Sequence, residues 1–176
     1  MKEQILIAGY GGQGVVVAGS LLANAAMEDG LETCGMVCYG AEMRGGTANA
    51  TTIISDEKIG SPVVVNPDTA IIMNQQSLER FEDDVEKNGM IILNISECQT
   101  KVARKDVKVI EIEATKLAEE LGNKKVANLV MIGAYLKAKP IIKIDSAILR
   151  LKKVLPKANG QLIELNKNAL LKGYGG

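Results

Sequence analysis

Apolar and polar positions along this chain switch repeatedly between a short, continuous pattern and a helical one. Gln4–Ala8 is a brief apolar run of the kind expected for a buried parallel strand. Glycines fill Gly9–Gly14, and Val15–Glu28 then repeats apolar residues at helical spacing. Ala18, Leu21, Leu22, Ala25 and Ala26 fall on one face, and Gly30 marks the stop. Three valines in the first turn are poor helix formers, so packing against a sheet must hold that end. Glu32–Tyr39 reads as a second strand and Thr47–Ser55 as a third, rich in Thr and Ile with alternation. Asp56-Glu57 predicts a hairpin turn into a short return strand through Ile59, and Ser61-Pro62 breaks it before Val63–Val65. Further strands are predicted at Thr69–Met73, Met90–Ile95 and Val107–Ile112, with a helix at Gln76–Val85. Helical patterns then dominate: Ala114–Leu121, Lys124–Lys137, Asp145–Leu155 and Gln161–Leu171, the last three separated by Pro140 and Pro156-Lys157.

This alternation predicts an α/β fold, a three-layer α/β/α sandwich around a mostly parallel Rossmann-like sheet. One antiparallel hairpin, placed near Asp56, and a helical C-terminal part complete the expectation. With no repeat and no long linker, the 176 residues are expected to form a single domain, 1–176. A chain of this size buries roughly 70% of its unfolded surface. Aromatics are only 3% of residues, so the core must be aliphatic.

Charge narrows the possible partners. Lys plus Arg equals Asp plus Glu at 21 each, so no net field advertises nucleic acid, and stacking aromatics are scarce. The longest apolar runs are too short to span a bilayer, and no signal peptide precedes the first strand. A cytoplasmic, soluble protein without nucleic-acid or membrane partners is expected. Histidine is absent altogether, which removes Ser–His and Cys–His catalytic pairs, an imidazole proton shuttle and His-based zinc sites. Cys34, Cys38 and Cys98 are too few to hold an iron–sulfur cluster alone. Cys34 and Cys38 share one strand face, and all three are expected to be small buried hydrophobes. No metal site is expected.

Two segments carry candidate chemistry. Gly9-Tyr10-Gly11-Gly12-Gln13-Gly14 matches the dinucleotide fingerprint after a strand and before a helix, where main-chain amides can cradle a phosphate. That fingerprint expects an acid about 20 residues on to hold a ribose, yet Thr33–Tyr39 contains none. A dinucleotide, a tight turn with no ligand, and another phosphate-bearing group or subunit contact all remain open. Tyr39-Gly40-Ala41-Glu42-Met43-Arg44-Gly45-Gly46 sets an acid and a base two residues apart among three glycines. Arg44 could grip a phosphate or carboxylate as a planar fork, or pair with Glu42 or a partner subunit. Glu42 reads more readily as a structural cap on loop amides than as a general base.

Together, Gly9-x-Gly11-Gly12-Gln13-Gly14 and Tyr39-Gly40-x-Glu42-x-Arg44-Gly45-Gly46 resemble the gamma subunit of the 2-oxoacid:ferredoxin oxidoreductases. That family includes pyruvate, 2-oxoglutarate and ketoisovalerate enzymes. Met43–Asn49, Ile54–Glu57 and Ile59–Pro62 are similar to the 2-oxoglutarate branch in particular. The resemblance covers essentially the whole chain, with its motifs in the first 65 residues.

The resemblance implies one subunit of an enzyme complex that is not active alone. The complex converts a 2-oxoacid and coenzyme A to acyl-CoA and carbon dioxide and reduces ferredoxin. Partners would be alpha, beta and, as a further candidate, delta subunits, with thiamine diphosphate and 4Fe-4S clusters on those other subunits. This chain would complete the active site and help bind coenzyme A. Its binding candidates are Gly9, Gly11, Gly12, Gln13, Gly14, Tyr39, Gly40, Arg44, Gly45 and Gly46; Glu42 and Arg44 are the catalytic candidates. Asn49 and Ser61 enter only through the resemblance. Two other classes stay open: a stand-alone dinucleotide oxidoreductase, and an assembly subunit that binds no ligand.

Overall fold

The computed structural model describes residues 1–39 and 47–175. Six strands form one sheet: β1 (Lys2–Tyr10), β2 (Glu32–Tyr39), β3 (Thr47–Ser55), β4 (Thr69–Ile72), β5 (Met90–Asn94) and β6 (Lys108–Ile112). Their order is β2-β3-β1-β4-β5-β6. The pairs β1–β4, β4–β5 and β5–β6 are parallel, whereas β3 runs antiparallel to both of its neighbours. The expected mostly parallel sheet with an antiparallel hairpin is therefore present.

The hairpin lies elsewhere than predicted. It joins β2 to β3 across residues 40–46, and no return strand forms from Asp56 to Ile59. Both edges of β3 are already taken, so a returning strand would have nothing to pair with. The Asp56 amide instead donates to the Met1 carbonyl, and the Glu57 amide donates to Ser55 Oγ. These bonds end the strand as a polar turn.

The helices are α1 (Val15–Glu28), α2 (Gln75–Phe81), α3 (Ala114–Glu120), α4 (Ala127–Ala138), α5 (Ile144–Val154) and α6 (Gly160–Gly175). Two predicted helices are shorter than their sequence patterns. Gln76–Val85 tightens into a 3-10 turn at Glu82–Asp84, and the helix expected from Lys124 begins as a 3-10 turn at Lys124–Val126. Asp83 and Asp84 are weak helix formers at that point, and Val85 turns away to bury itself.

One face of the sheet carries α1 and α3–α6. There Ile5, Ile7, Ile54, Ile71 and Ile92 pack with Leu21, Leu22, Met131 and Tyr135. Ten of the twelve residues of α4 are buried, so that helix runs through the centre of the molecule rather than over it. Helix α6 crosses α4 at glycines: a methyl group on Gly133 would overlap the Leu170 carbonyl oxygen, and one on Gly173 the carbonyl of Val130. The other face holds a smaller core of Leu6, Ala8, Ala70, Ile72, Leu78, Val85, Ile91 and Leu93, under α2 and the segment that includes Cys98 and Val102. Among the described residues, no helix covers that face over β2 and β3.

The cysteines depart from the expected burial. Cys34 and Cys98 are half-buried and Cys38 is exposed. An edge strand has a neighbour on one side only, so its residues are shielded less than those of a central strand.

Candidate functional site

The connections that follow the neighbouring parallel strands β1 and β4 leave in opposite directions. The chain passes from β1 through α1 to β2 on one side, and from β4 through α2 to β5 on the other. Their divergence opens a crevice beyond the carboxyl ends of β1 and β4, the place where open α/β sheets receive ligands. Gly9–Gly14 lies in this crevice. Gly12 and Gly14 adopt left-handed backbone at φ 97° and 74°, which side-chain-bearing residues avoid. A methyl group on Gly12 would meet nothing within 4 Å, so the outer face of the turn is open. On Gly9 it would lie 2.6 Å from Gln13 Oε1 and 3.2 Å from Met73 Cβ, so that glycine is required by packing.

Gln13 turns inward. Its Oε1 accepts from the Tyr10 amide at 2.7 Å and from Asn74 Nδ2 at 2.9 Å. Asn74 in turn caps α2, its Oδ1 accepting from the Ser77 amide at 2.9 Å. At the end of the next strand, Asn94 Nδ2 donates to Thr115 Oγ1 at 3.0 Å and to the Met73 carbonyl at 3.3 Å. Gly14 starts α1 without a side-chain cap. Its carbonyl accepts from Asn128 Nδ2 of α4 at 3.0 Å, and Asn128 Oδ1 is buried with no partner among the described residues. Carboxamides bind and orient; near neutral pH they do not exchange protons.

Sequence reasoning did not identify Asn74, Asn94 and Asn128. The available signal was a carboxamide directly after each apolar strand run, and one inside an otherwise apolar helix.

The residues that flank the second glycine-rich segment lie beside the first. Thr47, where the chain re-enters the sheet, pairs with Tyr10, and Tyr39 pairs with Ala48. Gly40, Glu42, Arg44, Gly45 and Gly46 lie outside the described residues. Asn49 is on the opposite side of β3 from α1, in register with Cys38 and Ala8. Ser61 sits on the exposed connection to β4, its Oγ accepting from the Val63 amide. Among the described residues no helix is long and apolar enough to cross a membrane.

Comparison with known proteins agrees with this architecture. Residues 4–176 match the family model described as pyruvate ferredoxin/flavodoxin oxidoreductase. The chain is 38% identical over 163 residues to the KorC subunit of 2-oxoglutarate synthase from Methanothermobacter marburgensis, covering 89% of this chain and 88% of that one. Among solved structures it is similar to the gamma subunit of keto/oxoacid ferredoxin oxidoreductase from Geobacter sulfurreducens PCA, with a TM-score of 0.82 and 27% identity. That match covers 98% of this chain and 96% of the other. The fold also matches the 2-oxoglutarate:ferredoxin oxidoreductase of Magnetococcus marinus, solved with 2-oxoglutarate, coenzyme A and succinyl-CoA bound, at a TM-score of 0.89 and 22% identity. There the match covers 99% of this chain but 30% of that longer one. The chain belongs to the pyruvate ferredoxin/flavodoxin oxidoreductase family, as a gamma-type subunit of the 2-oxoacid:ferredoxin oxidoreductases.

Proposed function

We propose that this chain serves an oxidoreductase that acts on 2-oxoglutarate and coenzyme A, and that its part is to bind coenzyme A and complete the active site. The observation that carries this reading is the backbone pairing of Tyr10 with Thr47, which sets Thr47, three residues after Arg44 in sequence, beside the open glycine turn. The fit to a phosphate-bearing group is physical. The turn offers main-chain amides at the start of α1 and an outer face clear of side-chain atoms at Gly12. Gly9, Gly11, Gly12, Gln13 and Gly14 would form the cradle, with Tyr39, Gly40, Gly45 and Gly46 framing the approach of Arg44. Arg44 would neutralise phosphate charge, and Glu42 would orient it. The described groups in the crevice hold rather than react, so the chain is not expected to turn over substrate alone. Thiamine diphosphate and 4Fe-4S clusters, on the alpha, beta and delta subunits, would supply carbanion stabilisation and electron transfer to ferredoxin.

The test is Arg44→Ala in the assembled complex. KM for coenzyme A should rise at least tenfold while KM for the 2-oxoacid stays within about twofold. An unchanged coenzyme A constant in an intact complex would refute the binding role. It would leave the chain as an assembly subunit, a reading favoured by one observation: Gln13 Oε1 is already satisfied by two donors within the chain.

A further inference from the structure

We propose that the sheet face left open over β2 and β3 is the surface through which this chain docks onto another subunit of its oxidoreductase, by taking an apolar segment flanked by basic residues. The proposal rests on the chain's membership of a multi-subunit enzyme and adds the surface and the chemistry of its occupant.

The floor of the open face is set by register. Thr51 pairs with Leu6 on one side and Met36 on the other; Asn49 pairs with Ala8 and Cys38. Side chains that are partners across a ladder share a face, so these rows continue the smaller core sideways, beyond the reach of α2. The connection from β3 to β4 crosses this face, and between it and the strands runs a groove lined by Met36, Cys38, Thr51, Val64, Pro67 and Phe81. Val63 is 59% exposed, Val65 72% and Met36 41%. These three large apolar side chains line one groove and so form a patch, whereas isolated exposed hydrophobics need no explanation. Strand β2 adds a free edge: Thr33 to Cys38 carries no charge, and edge strands without charge or proline invite pairing with another chain.

The rim identifies the occupant. Cys38, Asn49 and Phe81 also line a neighbouring recess with Glu79 and Arg80, and Asp84 lines the groove itself. Arg104 Nη1 donates to the carbonyls of Glu82, Asp83 and Val85, and from Glu79 to Glu86 the chain itself has five carboxylates against one arginine. That arginine is engaged, with Arg80 Nη1 3.7 Å from Asp84 and the guanidinium 5.1 Å from the Phe81 ring centre. An apolar groove with an acidic rim is complementary to apolar side chains beside lysine or arginine. A second copy of this chain is a poorer fit, because a two-fold contact would set one acidic rim against the other. In the Magnetococcus marinus enzyme the same fold makes up 30% of a longer chain, so there it is built into a larger polypeptide.

The experiment co-expresses the affinity-tagged chain with the other subunits of its complex and follows their retention by gel filtration and mass spectrometry. Val63→Asp with Val65→Asp should reduce retention of those subunits at least tenfold, with the thermal melt of the purified chain unchanged. Glu79→Lys with Asp83→Lys should weaken retention at low salt and flatten its salt dependence. Full retention by the valine variant, beside full retention by the unaltered chain, would overturn the surface assignment alone. Failure of the unaltered chain to retain any oxidoreductase subunit would overturn the subunit reading and the proposal with it. A dimer of the isolated chain that the valine variant splits would overturn the choice of occupant.

Discussion

Asn128 Nδ2 donates to the Gly14 carbonyl at 3.0 Å, tying the glycine turn to a helix 114 residues further along the chain. The carboxamide lies directly against the Gly14 Cα, so that a methyl group there would overlap it. Gly14 is therefore fixed twice, by its left-handed φ of 74° and by the side chain it meets.

Gly14→Ala should destabilise the chain by about 2–3 kcal/mol, combining left-handed strain with the overlap. Asn128→Ala should cost about 1–2 kcal/mol through the lost hydrogen bond and the space left behind. The double variant should be less damaged than the sum, because the overlap vanishes and only backbone strain remains. Denaturant unfolding of the three variants measures the coupling; strict additivity would show that the contact is not the constraint.

Glu3 is 6% exposed at the start of β1, where Lys139 Nζ donates to its two oxygens at 2.7 and 2.8 Å and Thr69 Oγ1 donates at 2.7 Å. Tyr135 is buried nearby; burial first, and then the charges of Glu3 and Asp68, push its hydroxyl well above the ordinary value. Lys139→Met should cost about 3 kcal/mol, because it leaves a carboxylate buried without its cation. Adding Glu3→Gln should restore most of that loss. A double variant as unstable as the single would contradict this account.

Gly133→Ala and Gly173→Ala should each cost about 3 kcal/mol, since either methyl group must push α4 and α6 apart against main-chain atoms. Gly160, where an added methyl group meets nothing, is the control, and its alanine variant should melt within about 2 °C of the unaltered chain. Equal melting of all three variants would exclude tight crossing of these helices.

Burial, and then the charge of Glu97, push the Cys98 thiol up to about 12. The folded chain keeps a proton there that the unfolded chain releases above about pH 9. Stability should therefore fall as pH rises from about 9 toward 12, and Cys98→Ala should lose that slope. At pH 8 iodoacetamide should modify exposed Cys38 well before Cys98, as peptide mass mapping would show.

Much of the fold was legible because local signals coincided. Val15–Glu28 combines helical spacing with Gly14 before it and Gly30 after it, and Thr47–Ser55 alternates; both elements end where the pattern ends. The misplaced hairpin has a different origin. Asp56-Glu57 is a good turn, but a turn becomes a hairpin only if an edge is free, and which edges are free depends on strand order. The candidate site was legible in part for the same reason. Its glycines could be read from the fingerprint, whereas the side chains that hold the turn, Asn74 on Gln13 and Asn128 on Gly14, arrive from the start of α2 and from α4 through long-range packing.

Strand β3 fills the slot between β1 and β2, and so decides the address of the segment it follows. Because β1 and β2 are both antiparallel to β3, they run the same way, and the chain leaves β2 at the end of the sheet where β1 delivers the glycine turn. That address is written in main-chain pairing, from Tyr10–Thr47 through Lys2–Ser55. Whatever chain links Tyr39 to Thr47 must therefore set out from and return to the end of the sheet that carries Gly9–Gly14.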